Sequence, residues 1–207
     1  TATTEIYTLS LHDALPISLP ELAADALGKF LGEYMQRRFG SSQTELVEMV
    51  PSIARIAIEC IGNSDALYHN VEHTMLVTLA GHDILRGRAL HAHMSAEDYA
   101  HVIIACLTHD IGYVRGLFDA DDQNGYLVAA DGRKVILPRG SSDAALMSYH
   151  VDRSKIFVME RLKGVALLDK AGWAPLGTDS SHPWLIGLVG LAMVILVPLI
   201  WGLLRKE

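Results

Sequence analysis

Between Leu19 and Leu162 apolar residues return every three or four positions, and that spacing commits most of the chain to helices that each bury one face. Capping residues mark the boundaries. Ser18, Pro20 and Glu21 open the first helix, with the Glu three positions after a Ser cap, and Leu22, Ala26, Phe30, Leu31 and Tyr34 follow at helical spacing up to Gly40. A second helix is predicted from about Thr44 to Ile61, with Leu46, Val47, Val50, Ile53, Ala57 and Ile61 on one stripe and Pro51 breaking or bending it. A third starts near Asn70 and continues to about Leu90, with Val71, Met75, Leu76 and Leu79 inward. Ser95 and Asp98 cap a fourth, whose apolar face is Tyr99, Val102, Ile103, Cys106 and Leu107 and whose end is His109-Asp110. Gly125–Pro138 sets Asp131-Gly132 between two β-prone runs, the signal of a small hairpin. Ser141 or Ser142 then caps a short helix, and Asp152–Leu162 makes the last. One hairpin among five or six helices leaves the expected class all-α.

The two ends follow other rules. Half of the residues are hydrophobic, high for a soluble enzyme, and the excess is concentrated in Pro183–Leu204, which carries no charged side chain. A helix of that length rises roughly 33 Å, enough to cross a hydrocarbon core of about 30 Å. Trp184 and Trp201 near its ends and Arg205 and Lys206 after it suit a transmembrane helix better than a buried core helix. Gly164–His182 mixes Gly, Pro and Ser without a clean period and reads as a linker. The string YTLSLHDALPIS near the N-terminus resembles the conceptual translation of a sequencing-adapter read. Residues 1–18 are therefore set aside as a non-native segment, His12 and Asp13 with them, and a truncated or chimeric reading frame stands among the alternatives. Residues 1–18 also lack the basic and apolar regions of a signal peptide. The expected organisation is a domain over 19–163, a linker over 164–182 and a membrane span over 183–204. The simplest topology is a single-pass C-terminal anchor with the domain in the cytoplasm.

The formal charge of -7 and pI of about 5.8 leave no broad basic surface, so nucleic acid is not expected as a partner, although a nucleotide remains an acceptable substrate. Cys60 and Cys106 sit inside apolar helical patterns and read as small buried thiols, which fits a reducing compartment. Ten histidines are more than a surface needs, and several lie near Asp or Asn.

The most informative of them stand in Tyr68-His69-Asn70-Val71-Glu72-His73 and, after a gap, in His109-Asp110-Ile111-Gly112-Tyr113. Two histidines four apart on a helix share one face and can converge on one point. An adjacent His-Asp pair at a helix end supplies an imidazole nitrogen and a carboxylate oxygen, donors that suit Zn, Fe, Mn or Mg in different proportions. Together these elements can build a mixed nitrogen and oxygen site with open positions for water. His82, His91, His93 and His101 belong to no such motif and read as structural. His150 and Asp152 are candidates for the same site, with a helix cap as the plainer role of Asp152. Arg115, shortly after the His-Asp pair, is a weak candidate for a substrate phosphate. Asp119, Asp121 and Asp122 lack the ligand spacing of a calcium loop and read as a solvated turn.

YHNVEH followed by HDIGY resembles the HD superfamily of metal-dependent phosphohydrolases, and YHNxxH in particular is similar to the motif of cyclic-nucleotide phosphodiesterases. The likeness covers roughly Leu46–Leu162. It implies an HD-domain-like helical bundle that hydrolyses a phosphoester, such as a nucleotide or cyclic nucleotide, with a water activated by one or two divalent metal ions (Mn, Mg, Fe or Zn). By that resemblance His73, His109 and Asp110 are metal ligands and His69 protonates the leaving group, while Tyr68 and Asn70 match flanking positions. The family completes its site with a later Asp on a further helix, and no copy of that last motif is present. Asp143, Asp152 and Asp169 are the substitutes on offer, Asp152 beside His150 foremost. The rival expectation is a non-catalytic, membrane-tethered module that keeps the fold and has lost its last ligand.

Overall fold

A computed structural model describes residues 18–161. Residues 1–17 of the adapter-like segment, the linker, the apolar run 183–204 and Asp169 all fall outside the described residues; Ser18 is described. Among the described residues no helix is long and apolar enough to cross a membrane.

Five α-helices make up most of what is seen: α1 (Leu19–Phe39), α2 (Thr44–Ile61), α3 (Val71–Arg88), α4 (Ala96–Thr108) and α5 (His150–Arg161). A two-stranded antiparallel ribbon, β1 (Tyr126–Leu127) and β2 (Lys134–Val135), pairs Tyr126 with Val135 and Leu127 with Lys134 around the Asp131-Gly132 turn. The class is all-α with one small hairpin, as the spacing of apolar residues implies.

The capping boxes form as read. Ser18 Oγ accepts from the Glu21 amide while Glu21 accepts from the Ser18 amide at 2.9 Å, and Ser95 and Asp98 repeat the exchange at the start of α4. Gly40, at φ 68°, ends α1 in a conformation that side chains disfavour. Pro51 does not break α2, which is one helix through it. The ring lies against Gly32 of α1, where an added Cβ would come within 2.8 Å of Pro51 Cγ, so a bare stretch of α1 makes room for it.

The core gathers Leu27, Leu31 and Met35 of α1, Val50, Ala54 and Ile58 of α2, and Tyr99, Ile103, Ile104 and Leu107 of α4. Helix α3 enters it by an unexpected face. Thr74, Thr78, Gly81, His82 and Leu85 are buried, whereas Val71, Met75 and Leu79 are only partly covered and Leu76 is half exposed. Small and polar residues hold this face because α4 passes close by: a Cβ at Gly81 would lie 2.8 Å from Cys106 Sγ. His82 is absorbed here too, with Nδ1 2.7 Å from Tyr99 Oη and its ring edge-on to Phe30 and Tyr34. Both cysteines are free, and burial raises their thiols, Cys106 to about 12. Inert structural thiols are the consequence.

Helix α5 closes over the turn Ile111–Tyr113 that follows α4. Gly112 permits this. A Cβ there would meet the His150 carbonyl oxygen at 2.0 Å and the Ser154 amide at 2.8 Å, both backbone atoms with nowhere to go. Gly112→Ala is therefore expected to push α5 off the turn and destabilise the protein by about 3 kcal/mol, the upper end of ordinary overpacking. A urea titration would measure it; an unchanged midpoint would mean that α5 does not seat as described.

Candidate metal centre

Three pieces of backbone converge at one place, and each is fixed by a local device. Asn70 is the N-cap of α3: its Oδ1 accepts from the amide of His73 at 3.0 Å and its Nδ2 donates to the Leu67 carbonyl at 2.9 Å. The flanking Asn of the first motif thus pins the turn that carries His69 and His73. His109 and Asp110 stand where α4 ends. Ser154 of α5 staples that end, accepting from the Gly112 amide and donating to the His109 carbonyl, each at 3.0 Å.

The side chains meet at Asp110 Oδ2. His69 Nδ1 lies 2.7 Å from it, His109 Nε2 2.9 Å and His73 Nε2 3.2 Å, and the last two nitrogens are themselves 3.2 Å apart. His69, His73 and Asp110 form a possible metal-binding triad, with one ligand atom of each within 4.8 Å of the others. Asp110 is 3 % exposed and His109 8 %. Tyr113, buried behind them, stacks on His69 with ring centroids 4.1 Å apart and on His150 at 4.4 Å, while half-exposed Tyr68 leans on His73 at 4.6 Å.

A divalent cation fits this donor set. Atoms bound to one cation at about 2.0–2.1 Å stand about 2.9–3.4 Å from each other, close to the separations seen. The tautomer agrees as well: His109 Nδ1 donates to the Cys106 carbonyl at 2.7 Å, so Nε2, turned toward the cluster, is the nitrogen that would give up its proton and lend its lone pair to a cation. Burial alone would raise the Asp110 carboxyl, yet hydrogen bonds from His109, His69 and His73 hold it well below the usual carboxylate range. It is an anion at neutral pH. Burial, aided by that charge, pushes the Tyr113 phenol up to about 12, so it stays neutral beside the cluster.

The remaining candidates divide. His150, on the first turn of α5, does reach the cluster, its Nε2 3.8 Å from Asp110 Oδ1. Asp152 does not: it is exposed and paired with Lys155 at 3.1 Å. Residues two apart on a helix point about 200° away from each other, so a helix that turns His150 inward must turn Asp152 out. Asp143 is buried but committed elsewhere, bonded to the Arg115 guanidinium and to the Asp65 amide. Arg115 in turn donates to Asp143, to Asp65 at 2.6 Å and to the Ser141 carbonyl at 2.9 Å. Each of its three nitrogens has a protein partner, so it ties the segment before α3 to the one before α5, a role that the sequence did not announce.

Reading the sequence also missed Arg153 and Asp121. Asp121 is not part of a solvated loop: its side chain and that of Arg153 are both fully buried and paired at 2.9 Å. Arg153 further donates to the carbonyls of Gly112 and Val114 at 2.7 Å each, and to that of Leu127, with its guanidinium 5.0 Å over the Phe118 ring. It bolts α5, the turn after α4 and β1 together. No local pattern announces such a contact, because an Asp and an Arg 32 positions apart carry no shared period.

A cleft of about 540 Å³ between α2 and α5, lined by Ile53, Ile56, Cys60, Phe157 and Arg161 among others, contains none of the cluster residues. Compared with known proteins, residues 17–173 match the sequence model of a family described as Npun_R2479-like. No curated protein and no solved structure matches the chain.

Proposed function

The chain belongs to the Npun_R2479-like family, and we propose that it is a metal-dependent phosphohydrolase on an HD-domain-like helical bundle, acting on a phosphoester such as a nucleotide or cyclic nucleotide. One observation carries the reading: three imidazole nitrogens lie within 3.2 Å of a single buried carboxylate oxygen. An arrangement of two lone-pair donors and an anion around one point calls for a cation. His73, His109 and Asp110 would hold it. When bound, a divalent ion supplies Lewis acidity to a phosphoryl group and lowers the pKa of water towards neutrality.

The other work falls to His69. Its Nδ1–H donates to Asp110, which fixes the ring, and Tyr113 supports its face. Its Nε2 is then the nitrogen left to give a proton to the departing oxygen, and a side chain 28 % exposed can reach a substrate. Attachment to a membrane through Pro183–Leu204, with the domain in the cytoplasm, is part of the proposal and rests on sequence alone.

The two roles separate by experiment. His69→Gln is expected to keep its metal while turnover of an alkyl phosphodiester falls about 100-fold, the lower end for a general acid because water can partly replace an exposed one. The loss should shrink with a p-nitrophenyl ester, whose leaving group needs no proton. Metal analysis with parallel kinetics checks both; disappearance of the metal from His69→Gln would make His69 a ligand instead.

A second reading has its own support. The carboxylates nearest to replacing the last Asp of the HD pattern are turned outward, as Asp152 is, or locked by Arg115, as Asp143 is. A module that binds metal without turnover fits that. Stoichiometric metal with no hydrolysis across a phosphatase and phosphodiesterase panel would favour it.

A further inference from the structure

We propose that His150 is a ligand of the same cation, so that a third imidazole joins those of His73 and His109 in place of the carboxylate that the HD resemblance calls for, and that the resident ion is a transition metal rather than magnesium. The inference rests on the reading of the cluster as a metal centre. Three features of His150 carry it.

Its Nδ1 lies 2.6 Å from the Met147 carbonyl, which fixes the proton on that nitrogen and leaves Nε2 with its lone pair. His109 is set in the same way by the Cys106 carbonyl. A ring locked by a backbone carbonyl behind it, with the opposite nitrogen facing a carboxylate, is how a protein presents an imidazole to a metal.

The distance is the second feature. Nε2 is 3.8 Å from Asp110 Oδ1, too far for a hydrogen bond, and it has no hydrogen-bond partner among the described residues. Around an octahedral ion with bonds of about 2.1 Å, neighbouring ligands lie about 3.0 Å apart and opposite ones about 4.2 Å. The 3.8 Å seen, measured to Oδ1 rather than to the Oδ2 on which the other imidazoles meet, matches neither, and an adjustment of less than about 1 Å would bring it to one of the two. The cluster is thus the protein feature nearest to a nitrogen that has no hydrogen-bond partner among the described residues.

Rigidity is the third. Stacking on Tyr113, with ring planes 15° apart, holds the imidazole, and α5 beneath it is fixed by Ser154 and Arg153 to the very turn that follows Asp110. The position of His150 relative to Asp110 is thus set by buried contacts rather than by a loop.

Three imidazoles and one carboxylate make a nitrogen-rich set. Magnesium binds oxygen donors and keeps several waters, whereas imidazole suits Zn, Cu, Fe or Ni. The test is binding of Zn(II) and Co(II) to the full chain, by chelator competition and by the visible absorption of bound Co(II), so that activity plays no part. His150→Phe keeps a ring against Tyr113 without a donor; His150→Glu keeps a donor without the ring. His150→Phe is expected to weaken Zn(II) binding at least about 100-fold, more than loss of an outer-sphere partner costs, and to change the Co(II) spectrum. His150→Glu is expected to bind Zn(II) within about tenfold of the native chain and to gain in preference for Mn(II). Native affinity and an unchanged spectrum in His150→Phe would overturn this proposal alone. Failure of the native chain to bind either ion would overturn it together with the phosphohydrolase reading.

Discussion

Asp110→Asn is expected to empty the site of metal and to take turnover with it. The substitution preserves shape and removes only the charge, which makes it the sharpest probe of what the carboxylate does. Asp110 is buried, and the imidazoles around it are the source of the hydrogen bonds that keep it ionised. An amide at that position offers one neutral oxygen to the three nitrogens, and its NH₂ competes for the lone pairs of His73 and His109. Lewis-acid assistance contributes several kcal/mol to phosphoryl transfer, so turnover should fall roughly 1000-fold or more, with bound metal near background. Elemental analysis of the purified full chain, kinetics with excess metal and far-ultraviolet circular dichroism would be read together. If Asp110→Asn retains native metal content and rate, the cluster is not the catalytic centre.

Much of the scaffold was legible because its signals are local. Ser18 with Glu21, Ser95 with Asp98, and Gly40 mark helix ends through hydrogen bonds that span three or four residues, and the His-Asp pair falls at the end of α4 because the apolar stripe of that helix stops there. His69 and His73 do meet at Asp110, but not as residues four apart on one helix: His69 precedes the N-cap Asn70, and the capping turn brings it there. Helix α3 resisted because its buried stripe is Thr74, Thr78, Gly81 and His82, residues chosen to let α4 come near and invisible to a search for hydrophobic period.

The choice between His150 and Asp152 was decided by a two-residue difference in where α5 begins. A start at Asp152 would have left either side chain free to face the site; the observed start at His150 sets the phase, and α5 is phased by Ser154 and Arg153 seating on Gly112. Long-range buried polar contacts therefore select among the ligands that local motifs offer. They are also what sequence patterns reveal least.

This dependence makes Arg153 the residue whose loss should harm stability most. Removing one partner of a buried ion pair leaves the other desolvated and uncompensated, at a cost of about 3–5 kcal/mol. Here Arg153→Met strands the Asp121 carboxylate and also three backbone carbonyls, those of Gly112, Val114 and Leu127. With about 3 °C per kcal/mol for a domain of this size, the thermal midpoint of Arg153→Met should fall roughly 10–15 °C. Arg153→Lys should recover little, since one ammonium cannot reach partners spread around a planar guanidinium. The double variant Arg153→Met with Asp121→Leu should regain part of the loss, because the uncompensated charge is gone while the three carbonyls still lack donors. Metal affinity should fall in parallel with the single variant, as α5 no longer holds His150 against the turn after α4. Calorimetry on the full chain measures the first set and chelator competition the last. A midpoint within 2 °C of native for Arg153→Met would mean that α5 is held by its apolar face, Ile156, Phe157 and Val158, and that the phase of the helix has another origin.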